Sequence, residues 1–275
     1  KKSNYKINVN RSSLNKNKLT KPDEISKTGK TAYDFRWNYP ITDIQSVKFA
    51  LTIYSQNDDY KSKLNQTNTE IERSDFSLKY KNMNFVHSLR ASGYERKYSQ
   101  KRPWSNFYDS DDITKEELIE YELGYIKKFH SSTLSSGVEI LYANYESNRI
   151  KLGKQLVNNI SFFGQLDTKH SLKLSSSVGM RFDRYSEYEA VISPRIASMY
   201  KFNNYFKLRY SWGLGFRAPS FIERYIDWNH DQYGYRVMGN SDLNPEKSNG
   251  STISLQYDGS KNYTITTTYY LTSFR

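Results

Sequence analysis

Three absences narrow the class of this protein. No cysteine occurs among its 275 residues, which excludes disulfides and cysteine-ligated metals. No stretch approaches the roughly 20 consecutive apolar residues of a membrane-spanning helix, and the mean hydropathy is −0.84. No segment shows a convincing helical period, and the acidic stretch 114–118 is at most one helical turn. The chain is therefore neither a disulfide-rich domain nor a helical membrane protein.

Catalytic signatures and a nucleic-acid footprint are missing too. The sequence has no G-x-S-x-G, H-E-x-x-H or Walker segment, so we expect that it is not an enzyme. The formal net charge is +12, but lysine and arginine are scattered among serine, asparagine and tyrosine, without a basic helix or compact block. Scattered charge is weak evidence for a nucleic-acid-binding surface, so we expect no nucleic-acid partner.

What the sequence does contain is alternation. Aromatic residues make up 16% of the chain, and large apolar side chains recur at every second position. One segment alternates Phe206, Leu208, Tyr210, Trp212, Leu214 and Phe216 with Lys207, Arg209, Ser211, Gly213, Gly215 and Arg217. Such a strand has one apolar face and one polar or small face. Low hydropathy with many aromatics is typical of an outer-membrane barrel, in which only alternate residues meet lipid.

The connections between strands alternate in length as well. Short turns are predicted at 81–84, 130–132, 167–170, 203–204 and 258–262. Longer polar segments are predicted at 14–30, 56–70, 95–115, 146–155 and 220–249, with 183–189 as the shortest of that set. Successive joints of an up-and-down sheet lie at opposite ends, so the short turns share one rim. This asymmetry is the layout of a transmembrane β-barrel.

These patterns predict an all-β, antiparallel up-and-down transmembrane β-barrel. About 13 strands of roughly 9 to 14 residues can be marked, long enough to cross a bilayer at a tilt. The alternative is a soluble β-solenoid or large sandwich, but no helix is predicted to cover either face. Closed single-chain barrels have even strand numbers. We therefore expect residues 1–275 to be a partial barrel domain, with the plug and the terminal strands missing.

Three blocks of the sequence resemble one family. The first is GLGFRAPSFIERY at 213–225, with the motif residues Phe216, Arg217, Ala218 and Pro219. The second is GNSDLNPEKSNG at 239–250, with Asn240, Asp242, Leu243, Pro245 and Glu246. The third is the stretch 162–195, which ends in SPR. In this order and spacing they resemble TonB-dependent outer-membrane receptors over about 162–268. Ser241 is a departure, since the family usually has proline there.

The resemblance implies nutrient uptake. Members of the family form a 22-stranded barrel filled by an N-terminal plug, bind a scarce nutrient and import it with energy from the TonB–ExbB–ExbD complex. It implies the outer membrane of a Gram-negative bacterium, in contact with lipid and lipopolysaccharide, and a surface lipoprotein is a candidate partner. No cofactor is expected to be required. A passive porin or an adhesin barrel is the alternative, but it would lack the motif blocks.

The candidate ligand-binding residues lie where the strand ends. Pro219 cannot donate to a strand ladder, so the strand should stop there and 220–249 should be an external loop. Tyr225, Trp228, His230, Tyr233, Tyr235 and Arg236 lie in that loop, and Arg217 precedes it. Haem receptors of the family place a histidine between the two motif blocks, so the resemblance makes His230 the candidate haem-iron ligand. The other interpretation is an ordinary polar loop residue.

Other ligands remain open. A ferric siderophore is the second candidate, because anionic chelates suit Arg217, Arg224, Tyr225, Tyr233 and Arg236. Cobalamin is the third. Calcium could bind Asp109, Asp111 and Asp112 through carboxylate oxygens, but the spacing of an EF-hand loop is absent and a solvated acidic loop tip is the preferred interpretation. We expect loops 220–249 and 95–115 to cap the ligand.

The remaining polar residues receive simpler interpretations. His87 is predicted to be a wall residue, and His130 and His170 to lie at periplasmic turns. Arg209, Ser211 and Arg217 are predicted to face the lumen, and Arg217 and Glu246 are a candidate pair across the wall.

Overall fold

One long antiparallel sheet dominates the computed structural model, which describes residues 3–17, 25–108, 110–230, 234–259 and 263–275 and, of residues 15–17 and 230, only the backbone. Thirteen strands form this sheet, each paired with its neighbour in the order β1 to β11, β14 and β15. Their bounds are β1 Asn4–Asn17, β2 Ile25–Pro40, β3 Gln45–Lys61, β4 Gln66–Asn82, β5 Phe85–Lys101, β6 Ser110–Lys128, β7 Ser132–Ser147, β8 Lys154–Lys169, β9 Leu174–Tyr185, β10 Val191–Lys201, β11 Phe206–Arg217, β14 Glu246–Asp258 and β15 Thr264–Phe274. The predicted strand number and up-and-down order are confirmed.

A small substructure separates β11 from β14. It consists of the helix α1 (Phe221–Tyr225) and a two-stranded hairpin of β12 (Asp227–His230) and β13 (Tyr235–Met238). The sequence shows no convincing helical period, and the all-β fold is confirmed; the five-residue helix α1 forms here because Ser220 and Glu223 make a capping box that starts it. Among the described residues, no helix is long and apolar enough to cross a bilayer.

The joints between the strands fall into two sets, one at each end of the sheet. We call the end with the joints 62–65, 102–109, 148–153, 186–190 and 218–245 the upper rim. The other end is the lower rim, and its joints 41–44, 83–84, 129–131, 170–173, 202–205 and 259–263 have two to five residues. His130 and His170 lie in short lower-rim joints, as predicted. All lower-rim joints are short, but the upper-rim joints 62–65 and 186–190 are as short as they are, so the predicted alternation of short and long connections is confirmed only in part.

The strands are longer than the sequence pattern predicted. Those of the main sheet have 11 to 19 residues, and β2 to β8 all have at least 16. The predicted loops 56–70 and 95–115 therefore shrink to 62–65 and 102–109, and the stretch 114–118 lies within β6 rather than in a helical turn. Prediction failed at these places because it ended each strand where the apolar residues stopped, whereas the backbone ladder continues between polar residues.

The two faces of the sheet have opposite chemistry. On the face we call outer, apolar side chains are exposed, for example Val178 (52%), Met180 (58%) and Ile192 (55%). On the inner face, Ser161 and Asp183 are 0% and 1% exposed. A water-soluble sheet would bury its apolar face, so this arrangement is that of a sheet whose outer face meets lipid.

Ion pairs line the inner face. Arg181 on β9 donates to Glu139 of β7 (2.7 Å) and pairs with Asp183 (3.0 Å), and its Nη2 also reaches Ser161 (2.8 Å). Lys207 of β11 pairs with Asp258 of β14 at 2.5 Å. These contacts satisfy charges that would otherwise be costly to leave on a half-buried surface.

His87 lies on the outer face of β5, with Nδ1 2.8 Å from the hydroxyl of Tyr121 on β6. It is a wall residue, as predicted.

Candidate functional site

The upper-rim end of β11 is tied to β14 by the predicted pair. Arg217 bonds Glu246 through Nε (3.1 Å) and Nη2 (3.0 Å), which confirms the pairing across the wall. The same guanidinium bonds Glu223 of α1 through Nη1 (3.1 Å) and Nη2 (2.9 Å). One arginine therefore joins the strand end, the helix and the returning strand.

This arrangement changes the proton affinities of its members. Hydrogen bonds from Arg217 lower the pKa of the Glu223 carboxyl to about 2 and lower the pKa of Glu246 as well. The hydrogen bonds to Glu246 and Glu223 raise the pKa of Arg217 above its ordinary value. All three groups stay charged at neutral pH, and the carboxylates together offset the charge of the arginine.

The helix α1 follows from the local sequence. Pro219 ends the strand ladder, and Ser220 caps the helix by accepting a hydrogen bond from the backbone N–H of Glu223 (3.2 Å). The Glu223 carboxylate accepts the N–H of Ser220 in return at 2.7 Å. The stretch FRAPSFIE thus ends a strand and begins a helix within four residues.

The second motif block docks against this helix. Gly239 donates its N–H to the carbonyl of Ile226 (2.7 Å), and Asn240 donates to that of Glu223 (3.0 Å). A Cβ on Gly239 would lie 2.6 Å from the carbonyl carbon of Arg224. Only glycine allows this approach, which explains the glycine that opens the block GNSDLNPE.

Arg224 anchors the loop on the β10 side. It is 8% exposed, and its Nε and Nη2 donate to the carbonyl of Ser241 at 3.1 and 2.7 Å. Its Nη1 reaches Glu187 at 3.2 Å, and the hydroxyl of Tyr225 donates to the same carboxylate at 2.9 Å. The ring of Tyr188 lies 5.6 Å from the guanidinium. The joint 186–190 thereby holds α1 in place.

Arg149 anchors the loop on the opposite side. This residue of the joint 148–153 forms an ion pair with buried Asp112 of β6 and lies 4.5 Å from the centre of the Trp228 ring. Its carbonyl accepts the N–H of Asp227 at 2.8 Å, and Lys151 donates to the carbonyl of Tyr225 at 2.7 Å. Asp112 is thus a buried ion-pair partner, so the interpretation as a solvated acidic tip was wrong for it. Asp109 lies outside the described residues.

The hairpin carries most of the predicted ligand residues. Trp228 and Tyr235 meet edge to face at 6.5 Å, and Arg236 is paired with Asp227 at 2.7 and 2.8 Å. His230 lies opposite Tyr235 in the strand register. Tyr233 lies outside the described residues.

The arginines predicted to receive an anionic chelate already have acidic partners. Arg217 pairs with Glu223 and Glu246, Arg224 with Glu187, and Arg236 with Asp227. Carboxylates of the rim therefore balance the positive charges of these arginines. The basic pocket that an anionic chelate would need is not formed by these three side chains.

The matching family model decides the affiliation. It is the model of TonB dependent receptor-like β-barrels, and it matches residues 3–275. The chain belongs to the TonB-dependent receptor β-barrel family. The family is one of outer-membrane transport receptors rather than of enzymes, and its up-and-down barrel agrees with the observed sheet.

Related proteins agree with this assignment. An iron-regulated outer membrane virulence protein of Vibrio cholerae is 30% identical over 129 residues, which cover 45% of this chain and 20% of that protein. The siderophore receptor PirA of Acinetobacter baumannii superposes with a TM-score of 0.68 at 15% identity, over 92% of this chain and 43% of PirA.

Two further receptor structures share the fold. The hemophore receptor HasR of Serratia marcescens, in complex with its hemophore HasA and heme, gives a TM-score of 0.71 at 12% identity, over 91% of this chain and 46% of HasR. The copper transporter OprC gives 0.75 at 12% identity, over 98% and 48%. The chain thus spans less than half the length of these receptors, and their low identity shows the fold alone.

The sequence analysis did not predict several residues that build the rim of this TonB-dependent receptor barrel. The S-x-x-E capping box at Ser220 was a readable helix signal that was overlooked. Arg149 and Glu187 carried no local signal, because their partners Trp228 and Arg224 lie far along the chain and meet them only across the rim.

Proposed function

We propose that this chain forms the wall of an outer-membrane receptor that captures a scarce iron compound and imports it with energy from the TonB–ExbB–ExbD complex. The family match over residues 3–275, together with a sheet that is apolar outside and polar inside, carries this proposal. The iron-regulated Vibrio relative and the siderophore and hemophore receptors among the structural neighbours support iron as the cargo.

The geometry supports an orientation in the outer membrane of a Gram-negative bacterium. The outer face meets lipid, and the upper rim, which carries the longer joints, faces outward among the lipopolysaccharide. The inner face surrounds a plug, which would transmit the signal of bound ligand to TonB. A surface protein that delivers the ligand is a candidate partner, since the related HasR is described with the hemophore HasA.

The rim favours a planar aromatic ligand over a purely anionic one. Trp228 and Tyr235 offer ring surfaces beside the His230 position, whereas Arg217 and Arg236 are occupied by carboxylates. Haem with His230 as an iron ligand is therefore the first candidate, a ferric siderophore the second and cobalamin the alternative. The ligand is cargo, and no resident cofactor is required.

Titration of the receptor in outer-membrane vesicles with haemin tests this proposal. Binding through an imidazole would shift the Soret band and saturate at one haem per receptor. Parallel titrations with a ferric catecholate siderophore and with cobalamin identify the other cargoes. A receptor that binds none of the three would contradict the proposed function.

A further inference from the structure

Positive charge is concentrated on the inner face of β1 to β4, near the lower rim. Lys48 of β3 lies directly opposite Lys79 of β4, and Lys6 of β1 lies opposite Arg36 of β2. Residues directly opposite each other in an antiparallel pair have Cβ atoms about 4.5–5.5 Å apart, and like charges at such positions are destabilising. An anionic partner would offset this repulsion.

The nearby arginines of the inner face already have such partners. Arg36 bonds Asp34 through Nε and Nη2, each at 2.9 Å, and Arg90 of β5 forms an ion pair with Glu120 of β6. The three lysines differ, since none of them forms an ion pair with any residue that the structure describes. Their side chains are exposed, so the described part of the chain leaves their charge unbalanced.

A cavity of about 470 Å³ lies among these side chains, far larger than a gap between packed residues. Its walls include Lys6, Arg36, Asn38, Lys48, Ser77 and Lys79. Amide and hydroxyl groups thus accompany the cations, and no carboxylate of the described residues lines the cavity. Several cationic donors without a competing carboxylate suit an anionic group, which accepts charge-assisted hydrogen bonds from them.

The position of the cavity favours a tethered polypeptide over a free anion. The cavity opens toward the interior of the barrel, which the proposed function fills with a plug. This chain covers less than half of the receptors that share its fold, so those proteins have further chain to place there. Exposed lysines hold a free anion weakly. A segment tethered to the same barrel is present at a much higher effective concentration.

We propose that this cavity anchors an acidic segment of the plug, whose aspartate or glutamate carboxylates pair with Lys6, Lys48 and Lys79. The anchor rests on the proposed uptake function and names the chemistry of the segment that faces β1 to β4. Ion pairs this close to water are individually weak, so several of them must act together. Salt screens such pairs, and the anchor should loosen as the ionic strength rises.

Carbodiimide cross-linking of the full receptor in outer-membrane vesicles tests the anchor, because this reagent joins a lysine only to a carboxylate in contact with it. Mass spectrometry of the digest should find Lys48 and Lys79 joined to an aspartate or glutamate outside residues 1–275. Lys127 is the matched control. It lies near the same rim but on the outer face of β6, with Nζ 5.3 Å from the centre of the Phe129 ring, and should remain unlinked.

Acylation by an amine-reactive ester measures how fully the cavity is occupied. At low salt, Lys79 should react at least about tenfold more slowly than Lys127, because the bound segment covers it. In 1 M salt, where the Debye length is about 3 Å, the two rates should converge. Lys48→Gln removes one cation of the cavity and should speed acylation of Lys79 at least about twofold, whereas Lys127→Gln should leave that rate unchanged.

The other outcomes overturn the anchor. Protection of Lys79 without a cross-link would mean that a free anion such as phosphate fills the cavity, and a cross-link to another protein would identify a different partner. Equal acylation of Lys79 and Lys127 at low salt would mean that nothing occupies it. The cargo titrations decide the uptake function separately. A receptor that binds its cargo without these cross-links rejects the anchor alone, and one that shows the cross-links but binds no cargo rejects uptake alone.

Discussion

The guanidinium of Arg224 and the backbone carbonyl of Ser241 are joined by two hydrogen bonds, from Nη2 at 2.7 Å and from Nε at 3.1 Å. Through this contact the second motif block is attached to α1, and Glu187 attaches the same arginine to the neighbouring joint. The described part of the segment 218–245 is therefore packed against its neighbours, through Arg224 on one side and Arg149 on the other.

Ser241→Pro should leave stability and ligand binding nearly unchanged, within about 0.5 kcal/mol. Only the carbonyl of residue 241 is used by Arg224, and proline keeps that carbonyl. Thermal unfolding and haemin titration measure the effect. As a comparison, Arg224→Met keeps the bulk of the side chain but leaves the Glu187 carboxylate and the carbonyl without this donor, and should cost about 1–3 kcal/mol. Equal losses in both variants would refute this account of the motif.

Gly239→Ala should displace the second motif block from α1. The added methyl group would lie 2.6 Å from backbone atoms of Arg224, so the chain must move, at a cost of about 1–3 kcal/mol. Cleavage of the loop by an added protease reports the displacement. Gly164→Ala on β8 is the matched control, because open space surrounds that position. Protection equal to that of the control would show that the close approach is unimportant.

The attachment of α1 to the strand ends should weaken at acidic pH and should be insensitive to pH near neutrality. The pKa of Glu223 falls from an ordinary value near 4.5 to about 2 in the folded loop. A lowered folded-state pKa contributes stability above the ordinary value, and that stability is lost as pH falls from about 4.5 toward 2. Trp228 fluorescence should thus be constant from pH 8 to 5 and change below about 4. Glu223→Gln should reduce this change without removing it, because Glu246 shares the same arginine and its pKa is lowered too. A transition of unchanged size in the variant would show that Glu223 does not cause it.

His230→Ala should abolish growth on haem as the iron source while leaving receptor abundance in the outer membrane unchanged. Imidazole is a strong axial ligand for haem iron, and alanine offers none. His130→Ala is the control, because residue 130 lies in a lower-rim joint. Unchanged growth of the His230 variant on haem would reject its role as an iron ligand.

The membrane part of this fold could be predicted from the sequence because one physical constraint governs it. Alternate residues such as Val178 and Ser177 must suit lipid and a polar interior in turn, so the period is visible without any tertiary information. The motif FRAP gave the strand end correctly, since Pro219 cannot continue the ladder.

Beyond the apolar belt of the outer face, the outer side chains need not be apolar. The alternation therefore disappears there, and the sequence predicted these parts of the strands less well. Glu95 and Lys97 remain in a strand because backbone pairing with β4 and β6 continues, although neither outer side chain is apolar. The loop site depends on contacts such as Arg149 with Trp228, which join residues distant in sequence. No local pattern encodes such contacts, so Arg149 and Glu187 were missed.

The most direct test asks which face of the sheet meets lipid. The chain has no cysteine, so a spin label can be attached to a single introduced thiol. Two variants, Val178→Cys and Ser177→Cys, place this label at neighbouring positions of β9. In outer-membrane vesicles, a relaxation agent dissolved in the lipid phase should act strongly on the label at 178 and weakly on the label at 177. Equal effects, or a stronger effect at 177, would contradict a sheet that is apolar toward lipid and polar toward its interior.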